Sequence, residues 1–100
     1  MNLSPQKCAL IIANSINLIE KDRGKKTTRF QLSLLSLSKI AKRQVVSSIY
    51  LDSLASELLE LNWCMFQFEN TRFAFVQASS VNSWVKFSSK TILGVESEDE

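Results

Sequence analysis

Histidine is absent from this 100-residue sequence, and cysteine, glycine and proline are scarce. Without histidine, neither a Ser-His-Asp nor a Cys-His catalytic arrangement can form, and a metal site cannot use imidazole ligands. The two cysteines, Cys8 and Cys64, lie far apart rather than in a C-x-x-C motif, so their spacing indicates neither zinc nor a redox pair. We expect both to be small core residues, although spacing alone leaves a disulfide between them open.

Long apolar runs are also missing. The longest, "CALIIA", has six residues, whereas a helix needs roughly 20 to cross a bilayer. The N-terminus has one early charge, Lys7, and no small-residue cleavage site, so it does not resemble a signal peptide. We therefore expect a cytoplasmic protein without a membrane partner. Because glycine and proline are rare, helices joined by short loops are favoured.

Charges are distributed unevenly along the chain. Residues 1–50 contain nine Lys or Arg and two acids, a charge of +7, whereas residues 51–100 contain three Lys or Arg and eight acids, a charge of −5. The basic half favours a polyanionic partner, unless the charges of the two halves interleave once the chain is folded. An apolar fraction of 45% predicts one domain over residues 1–95, followed by a disordered acidic tail at 96–100.

The N-terminal third of the chain predicts a helix and then a short strand. Ser4 provides an N-cap, Pro5 suits the first helical position, and Gly24 suits the C-terminal end. With apolar residues at helical spacing between them, these features predict a helix over 5–22. "TTRFQLS", at 27–33, alternates as a strand does, but it could also belong to a helix that continues through the next residues.

Two further helices are predicted, separated by a break. The middle helix begins at Ser33 or Ser36 and ends near Arg43, where "QVV" interrupts it because adjacent β-branched residues weaken a helix. Ser47 or Ser48 caps the third helix. The inner face of that helix is an apolar stripe at helical spacing: Leu51, Leu54, Ala55, Leu58 and Leu61.

"CMFQFENTRFAFV", at 64–76, is typical of a β-hairpin. A turn at Asn70 and Thr71 predicts a register in which four rings share one buried face. The predicted ring pairs are Phe68 with Phe73 and Phe66 with Phe75. A shift of one residue would place phenylalanines opposite Arg72 and Ala74, so we expect this register to be well specified.

The segment after the hairpin, "SSVNSWVKFSSKTIL", has features of both a short helix and a strand. Ser79 or Ser80 can cap a helix that turns Trp84 and Phe87 inward, whereas "WVKF" alternates as a strand does. In a homodimer, these two aromatic residues are candidates for the contact with the partner. In a monomer, they would instead cover the core of the domain.

The predicted order of elements resembles that of the winged helix-turn-helix superfamily: helix, short strand, helix, turn, helix and hairpin. The similarity covers residues 5–77, and it depends on "LSLSKIA", the "VVSS" turn, the leucine stripe and the hairpin, or wing. It implies an α+β fold of about three helices, a two-stranded wing and a short C-terminal helix or strand. In this family the third helix usually lies in the major groove of duplex DNA, and the wing contacts the neighbouring backbone or minor groove.

The resemblance implies DNA-contacting residues in three places. Those on the third helix and the turn before it are Gln44, Ser47, Ser48, Tyr50, Asp52, Ser53 and Ser56. Those at the wing tip are Asn70 and Arg72. Those that would bind phosphates from the basic half are Lys25, Lys26, Arg29, Lys39, Lys42 and Arg43.

The third helix lacks the side chains that most often identify bases. It carries Asp52, Glu57 and Glu60 but no Arg, Lys, Asn or Gln. One hypothesis is therefore a small DNA-binding regulatory protein, acting as a homodimer, whose affinity comes from phosphate contacts. The alternative is an interaction module or inhibitor of the same fold, which binds a basic protein, such as one that binds nucleic acid, through its acidic third helix and tail. We expect neither catalysis nor a cofactor, because no phosphate loop, metal-ligand spacing or activated nucleophile accompanies the acids.

Overall fold

The computed structural model describes residues 2–98, with side chains described as far as Gly94. Within this range the chain forms five helices and three strands, which confirms the predicted α+β class. In chain order they are α1 (Pro5–Arg23), β1 (Arg29–Ser33), α2 (Leu34–Ala41), α3 (Ser48–Glu60), β2 (Trp63–Glu69), β3 (Arg72–Gln77), α4 (Ala78–Val81) and α5 (Ser89–Glu98).

Serine caps begin the three helices of the N-terminal half, as predicted. The hydroxyls of Ser4, Ser33 and Ser47 each accept a hydrogen bond from the backbone N–H three residues later. Gly24 ends α1 with a φ of 67°, a left-handed conformation that glycine adopts without steric cost. α2 ends two residues before the predicted Arg43, because Lys42 turns the backbone into the left-handed region with a φ of 56°.

The sheet has three antiparallel strands in the order β1-β3-β2. The prediction of a two-stranded wing was therefore wrong, because the short segment predicted at 27–33 pairs with the hairpin. Phe30 lies opposite Phe75, and Leu32 lies opposite Phe73. A backbone hydrogen bond from Gln77 to the carbonyl of Thr28 extends this pairing at one end.

The predicted hairpin register was also wrong. Phe66 pairs with Ala74, and Gln67 pairs with Phe73, while a bulge between Gln67 and Glu69 restores the pairing of Glu69 with Arg72. As a result, only the two phenylalanines of β3 are buried among the four of the hairpin. The two phenylalanines of β2 remain about half exposed on the opposite face of the sheet: Phe66 at 51% and Phe68 at 47%.

Phe30 of β1 and Trp63 at the start of β2 take the core positions that the predicted register gave to Phe66 and Phe68. Phe30 of β1 stacks on Phe75 with ring centroids 4.6 Å apart, and it meets the edge of Trp63 at 5.1 Å. These rings form the core together with the inner faces of α1, α2 and α3. The fully buried large side chains are Phe73, Phe75, Leu37, Leu54, Leu58 and Cys8.

The two cysteines are not joined. Cys8 is fully buried on the inner face of α1, which confirms that it is a core residue. Cys64 is only half-buried on β2. Because both are free thiols, the disulfide that the spacing left open does not form.

The C-terminal segment forms helices rather than a strand. Trp84 and Phe87 do not cover the core, because they lie in the irregular stretch between α4 and α5 and are 56% and 67% exposed. α5 includes residues as far as Glu98, and the predicted disordered tail at 96–100 extends past the described residues. Within residues 2–98, no helix combines the length and apolarity that a membrane crossing requires.

Candidate nucleic-acid interface

α2, the turn at residues 42–47 and the hairpin tip enclose a groove of about 520 Å³, which we call the wing groove. The backbone N–H of Leu34 donates to the carbonyl of Thr71 at 2.7 Å and holds the tip against the start of α2. Gln44 and Arg72, which the sequence analysis selected from separate segments, line this same groove. Its full lining is Ser33, Leu34, Leu35, Ser38, Gln44, Val45, Val46, Thr71 and Arg72.

Two of the predicted phosphate-binding lysines lie next to the wing groove. Lys39 is exposed one turn after Leu35 on α2, and Lys42 is exposed at the cap that ends this helix. Together with Arg72 they place three cationic side chains along one side of the domain. We call these three residues the wing cations.

The first half of α3 presents small polar side chains beside this surface. Ser47 caps the helix, and Ser48, Asp52 and Ser53 are exposed. Asn70 is exposed at the hairpin turn, where its carbonyl accepts a hydrogen bond from the Gln67 side chain. The structure therefore places Ser47 and Ser48 directly after the groove-lining Val46, whereas Ser53 lines a separate groove with Pro5 and Gln6 at the start of α1.

Two predicted DNA-contacting residues are used inside the domain instead. The Arg43 guanidinium donates twice to the carbonyl of Leu3, at 3.2 and 3.3 Å, and the Tyr50 hydroxyl donates to the same carbonyl at 3.1 Å. The guanidinium also lies 4.1 Å from the centre of the Tyr50 ring, which is only 5% exposed. We call Leu3, Arg43 and Tyr50 the N-terminal clasp, because they hold the segment before α1 against α3.

Burial favours the neutral forms of the Tyr50 hydroxyl and of the neighbouring Cys8 thiol. Burial, together with a hydrogen bond to Cys8, raises the pKa of Tyr50 to about 12, although the charge of Arg43 acts in the opposite direction. Burial also raises the pKa of the Cys8 thiol. Tyr50 is therefore a hydrogen-bond donor in a packed site and not an acid or base for chemistry near neutral pH.

The other three predicted cations lie at the far end of the sheet. Arg29 pairs with Val76 at one end of β1, whereas Ser33 pairs with Arg72 at the other, and the four intervening steps span about 13 Å. Lys25 and Lys26 precede Arg29 in a loop. The Glu20 carboxylate fixes this loop by accepting a hydrogen bond from the backbone N–H of Thr27. We call Lys25, Lys26 and Arg29 the loop cations, and the structure does not bring them to the wing groove.

Sequence reasoning missed three exposed apolar side chains, two of which line the wing groove. Leu35, Val45 and Ile49 are 66%, 78% and 77% exposed. The position of Ile49 could have been found, because it lies nearly opposite Leu58 on a helical projection. Such side chains can contact the methyl group of thymine or an apolar group of a protein partner.

Among the described residues, Cys, Asp and Glu side chains do not gather in groups of three or more that could hold a metal ion. No family model, curated protein or solved structure matches the chain. Its function therefore has to be inferred from its own residues.

Proposed function

We propose that this protein is a winged helix-turn-helix protein that binds duplex DNA through the wing cations and the N-terminal half of α3. The observation that carries this proposal is the wing groove, which Gln44 and Arg72 line and next to whose α2 wall Lys39 and Lys42 are exposed. The order of the elements and the pairing of β1 with β3 are consistent with the winged fold. Cytoplasmic localisation and a role in transcription regulation are part of the same proposal.

The acids of α3 are compatible with this role because of where they lie. Glu60 ends the helix about 18 Å from Ser48, and Glu57 is half-buried against α1, so neither belongs to the half of α3 beside the wing cations. Asp52 can accept a hydrogen bond from the amino group of cytosine, and Ile49 can contact the methyl group of thymine. The short side chain of Ser48 allows the start of the helix to approach the bases closely.

Binding to a short random-sequence duplex across a salt series tests the proposal. Each phosphate contact contributes about −0.9 to the slope of log K against log salt concentration. We expect Lys39→Ala/Lys42→Ala to reduce the magnitude of that slope by about 1–2 and to weaken binding at low salt. The matched control is Lys25→Ala/Lys26→Ala, which removes the same charge from the far end of the sheet and should leave the slope unchanged.

Two results would contradict the proposal. If the parent chain does not bind duplex DNA even at low salt, the wing cations have no phosphate-binding role. If both double variants reduce the magnitude of the salt slope by the same amount, the net charge of the protein, rather than a specific surface, causes the binding. The Arg72→Ala variant tests the third wing cation, and we expect it to reduce the magnitude of the salt slope by about 0.9.

A protein-binding role is the second candidate function, and the exposed apolar residues of the wing groove favour it. Leu35 and Val45 line a groove large enough for a side chain of a protein partner, and acidic α3 suits a basic partner. This candidate predicts that the parent chain does not bind DNA. It also predicts that binding to a basic nucleic-acid-binding protein is lost in Leu35→Ser/Val45→Ser but kept in Lys25→Ala/Lys26→Ala.

A further inference from the structure

The outer face of the sheet carries a second apolar groove, which we call the sheet groove. It has a volume of about 580 Å³ and lies on the side of the sheet away from α1 and α3. Phe66, Phe68 and Trp84 are its large exposed side chains, at 51%, 47% and 56%. Its lining is Arg29, Phe30, Gln31, Phe66, Phe68, Ala74, Phe75, Val76 and Trp84.

Residues 84–98, which we call the C-terminal arm, leave the domain at the rim of this groove. The arm contains α5, a helix of 10 residues, whereas isolated helices shorter than about 12–15 residues are marginal in water. The described chain measures 59 × 34 × 20 Å, and its radius of gyration is 16.9 Å, against about 13 Å for a compact domain of 100 residues. The arm therefore extends away from the domain and needs a surface to pack against.

The arm is also apolar. Trp84, Val85, Phe87 and Ile92 are 56%, 78%, 67% and 58% exposed. Trp84 lines the groove of its own chain, whereas Val85, Phe87 and Ile92 are mostly exposed, so each chain presents apolar arm residues next to an apolar groove. We propose that a second copy of the chain occupies the sheet groove with its C-terminal arm, and that a two-fold axis makes this exchange reciprocal.

The area available is sufficient for such a dimer. The exposed parts of Phe66, Phe68 and the four arm residues amount to roughly 700 Å² per chain when each aromatic residue carries about 150–250 Å². Two chains therefore cover roughly 1,400 Å², within the usual range of about 1,200–2,000 Å² for specific protein interfaces. In a reciprocal exchange, the arm of each chain covers the groove of the other. An unrelated partner would have to supply one surface for the arm and another for the groove.

Charge also favours a second copy. Arg29 lines the sheet groove, and Lys25 and Lys26 precede it in the adjacent loop. The sequence itself ends in acidic residues: Glu96, Glu98, Asp99 and Glu100. The charge of this acidic sequence is opposite to that of the loop cations, so a second copy of the chain is electrostatically complementary to the basic rim of the groove.

Sedimentation equilibrium of the full chain over a concentration series tests this inference. We expect a species of about twice 11.3 kDa for the parent. Phe87→Ser/Ile92→Ser in the arm, and separately Phe66→Ser/Phe68→Ser in the groove, should each raise the dissociation constant about 100-fold, roughly tenfold for each side chain. The control Leu18→Ser/Leu59→Ser removes apolar side chains of similar exposure from α1 and α3 and should leave the dimer intact.

Tryptophan fluorescence gives a second measurement on the unmodified chain. Trp63 is 4% exposed and stays buried, so a red shift of the emission on dilution would report the uncovering of Trp84. A parent chain that is monomeric throughout would overturn the inference, and so would a monomer with a blue-shifted Trp84, in which the arm covers its own groove. A dimer that the arm variant dissociates but the groove variant does not would show arm-to-arm pairing and equally overturn it. Equal dissociation of the Leu18→Ser/Leu59→Ser control would have the same consequence.

Discussion

Lys42 and Arg43 are adjacent cations, yet the structure gives them different tasks. Arg43→Ala removes two charged hydrogen bonds to the carbonyl of Leu3 and the contact with the Tyr50 ring. A hydrogen bond from a charged donor contributes about 1.5 kcal/mol, and the cation–π contact contributes about 0.5–1 kcal/mol. Since the two bonds share one acceptor and are long, we expect the free energy of unfolding to fall by about 2 kcal/mol, which lowers Tm by roughly 10 °C. Lys42→Ala should change stability by less than about 0.5 kcal/mol.

Thermal unfolding followed by circular dichroism measures the stability effects, and the DNA salt series measures the electrostatic ones. Lys42→Ala should reduce the magnitude of the salt slope by about 0.9, whereas Arg43→Ala should leave it unchanged under conditions in which the variant is folded. Arg43→Lys is the control, because it keeps the charge but loses the planar guanidinium, and it should restore little stability. An Arg43→Ala variant with the parent Tm and a reduced slope would show that Arg43 contacts phosphate, which would refute the clasp assignment.

Three other expectations follow from the fold. Tyr50 is the single tyrosine, and its folded-state pKa of about 12 lies above its ordinary value of 10. The stability that this neutral hydroxyl provides should therefore be complete below pH 10 and be lost as the pH rises through 12. Ultraviolet absorbance of tyrosinate should show a midpoint near 12 in buffer and near 10 in urea, and a midpoint near 10 in both would contradict its burial. Phe73→Ala should cost about 3–5 kcal/mol in urea unfolding and Phe66→Ala less than about 1 kcal/mol, and similar costs would contradict the observed register. Gly24→Ala should cost about 1–2 kcal/mol because its φ is positive, and an unchanged Tm would show that the left-handed cap is not required.

Helix boundaries were predictable because their signals are local. A capping hydroxyl at Ser4, Ser33 or Ser47 acts on an N–H three residues away, so the sequence within one turn specifies the start of each helix. Gly24 specifies the end of α1 in the same way. The leucine stripe of α3 identified its inner face, since Leu54 and Leu58 are fully buried.

The hairpin register was not predictable from the hairpin alone. Its sequence has phenylalanines on both strands, and local pairing favours putting all of them on one face. Which face is buried depends on β1, about 40 residues earlier in the chain, whose Phe30 and Leu32 occupy the inner side. The bulge between Gln67 and Glu69 then permits a register that leaves Phe66 on the outer side while Glu69 still meets Arg72.

The candidate site was predictable only in part, for a similar reason. Exposure of Lys39 and Lys42 follows from the helical pattern of α2, but the use of Arg43 depends on the carbonyl of Leu3, which is 40 positions away. Charge and residue type, counted along a sequence, do not distinguish a cation that a phosphate can reach from one that holds a backbone carbonyl. The local sequence pattern can therefore indicate a basic surface, whereas tertiary contacts determine which cations belong to it.

The charge asymmetry of the chain can now be interpreted as two separate surfaces. The wing cations lie beside α3 at one end of β1, and the loop cations lie beside the sheet groove at the other. If one continuous basic face bound DNA, removing either group would change the salt slope of DNA binding, and neither removal would change the mass of the protein in solution. Under the two proposals made above, removing Lys39 and Lys42 changes the slope alone, because each neutralised phosphate releases counterions. Removing Lys25 and Lys26 weakens the dimer alone, because the rim of the sheet groove then loses the positive charge that complements the acidic C-terminal sequence. The salt series and the sedimentation measurement should therefore distinguish the cations at the two ends of β1.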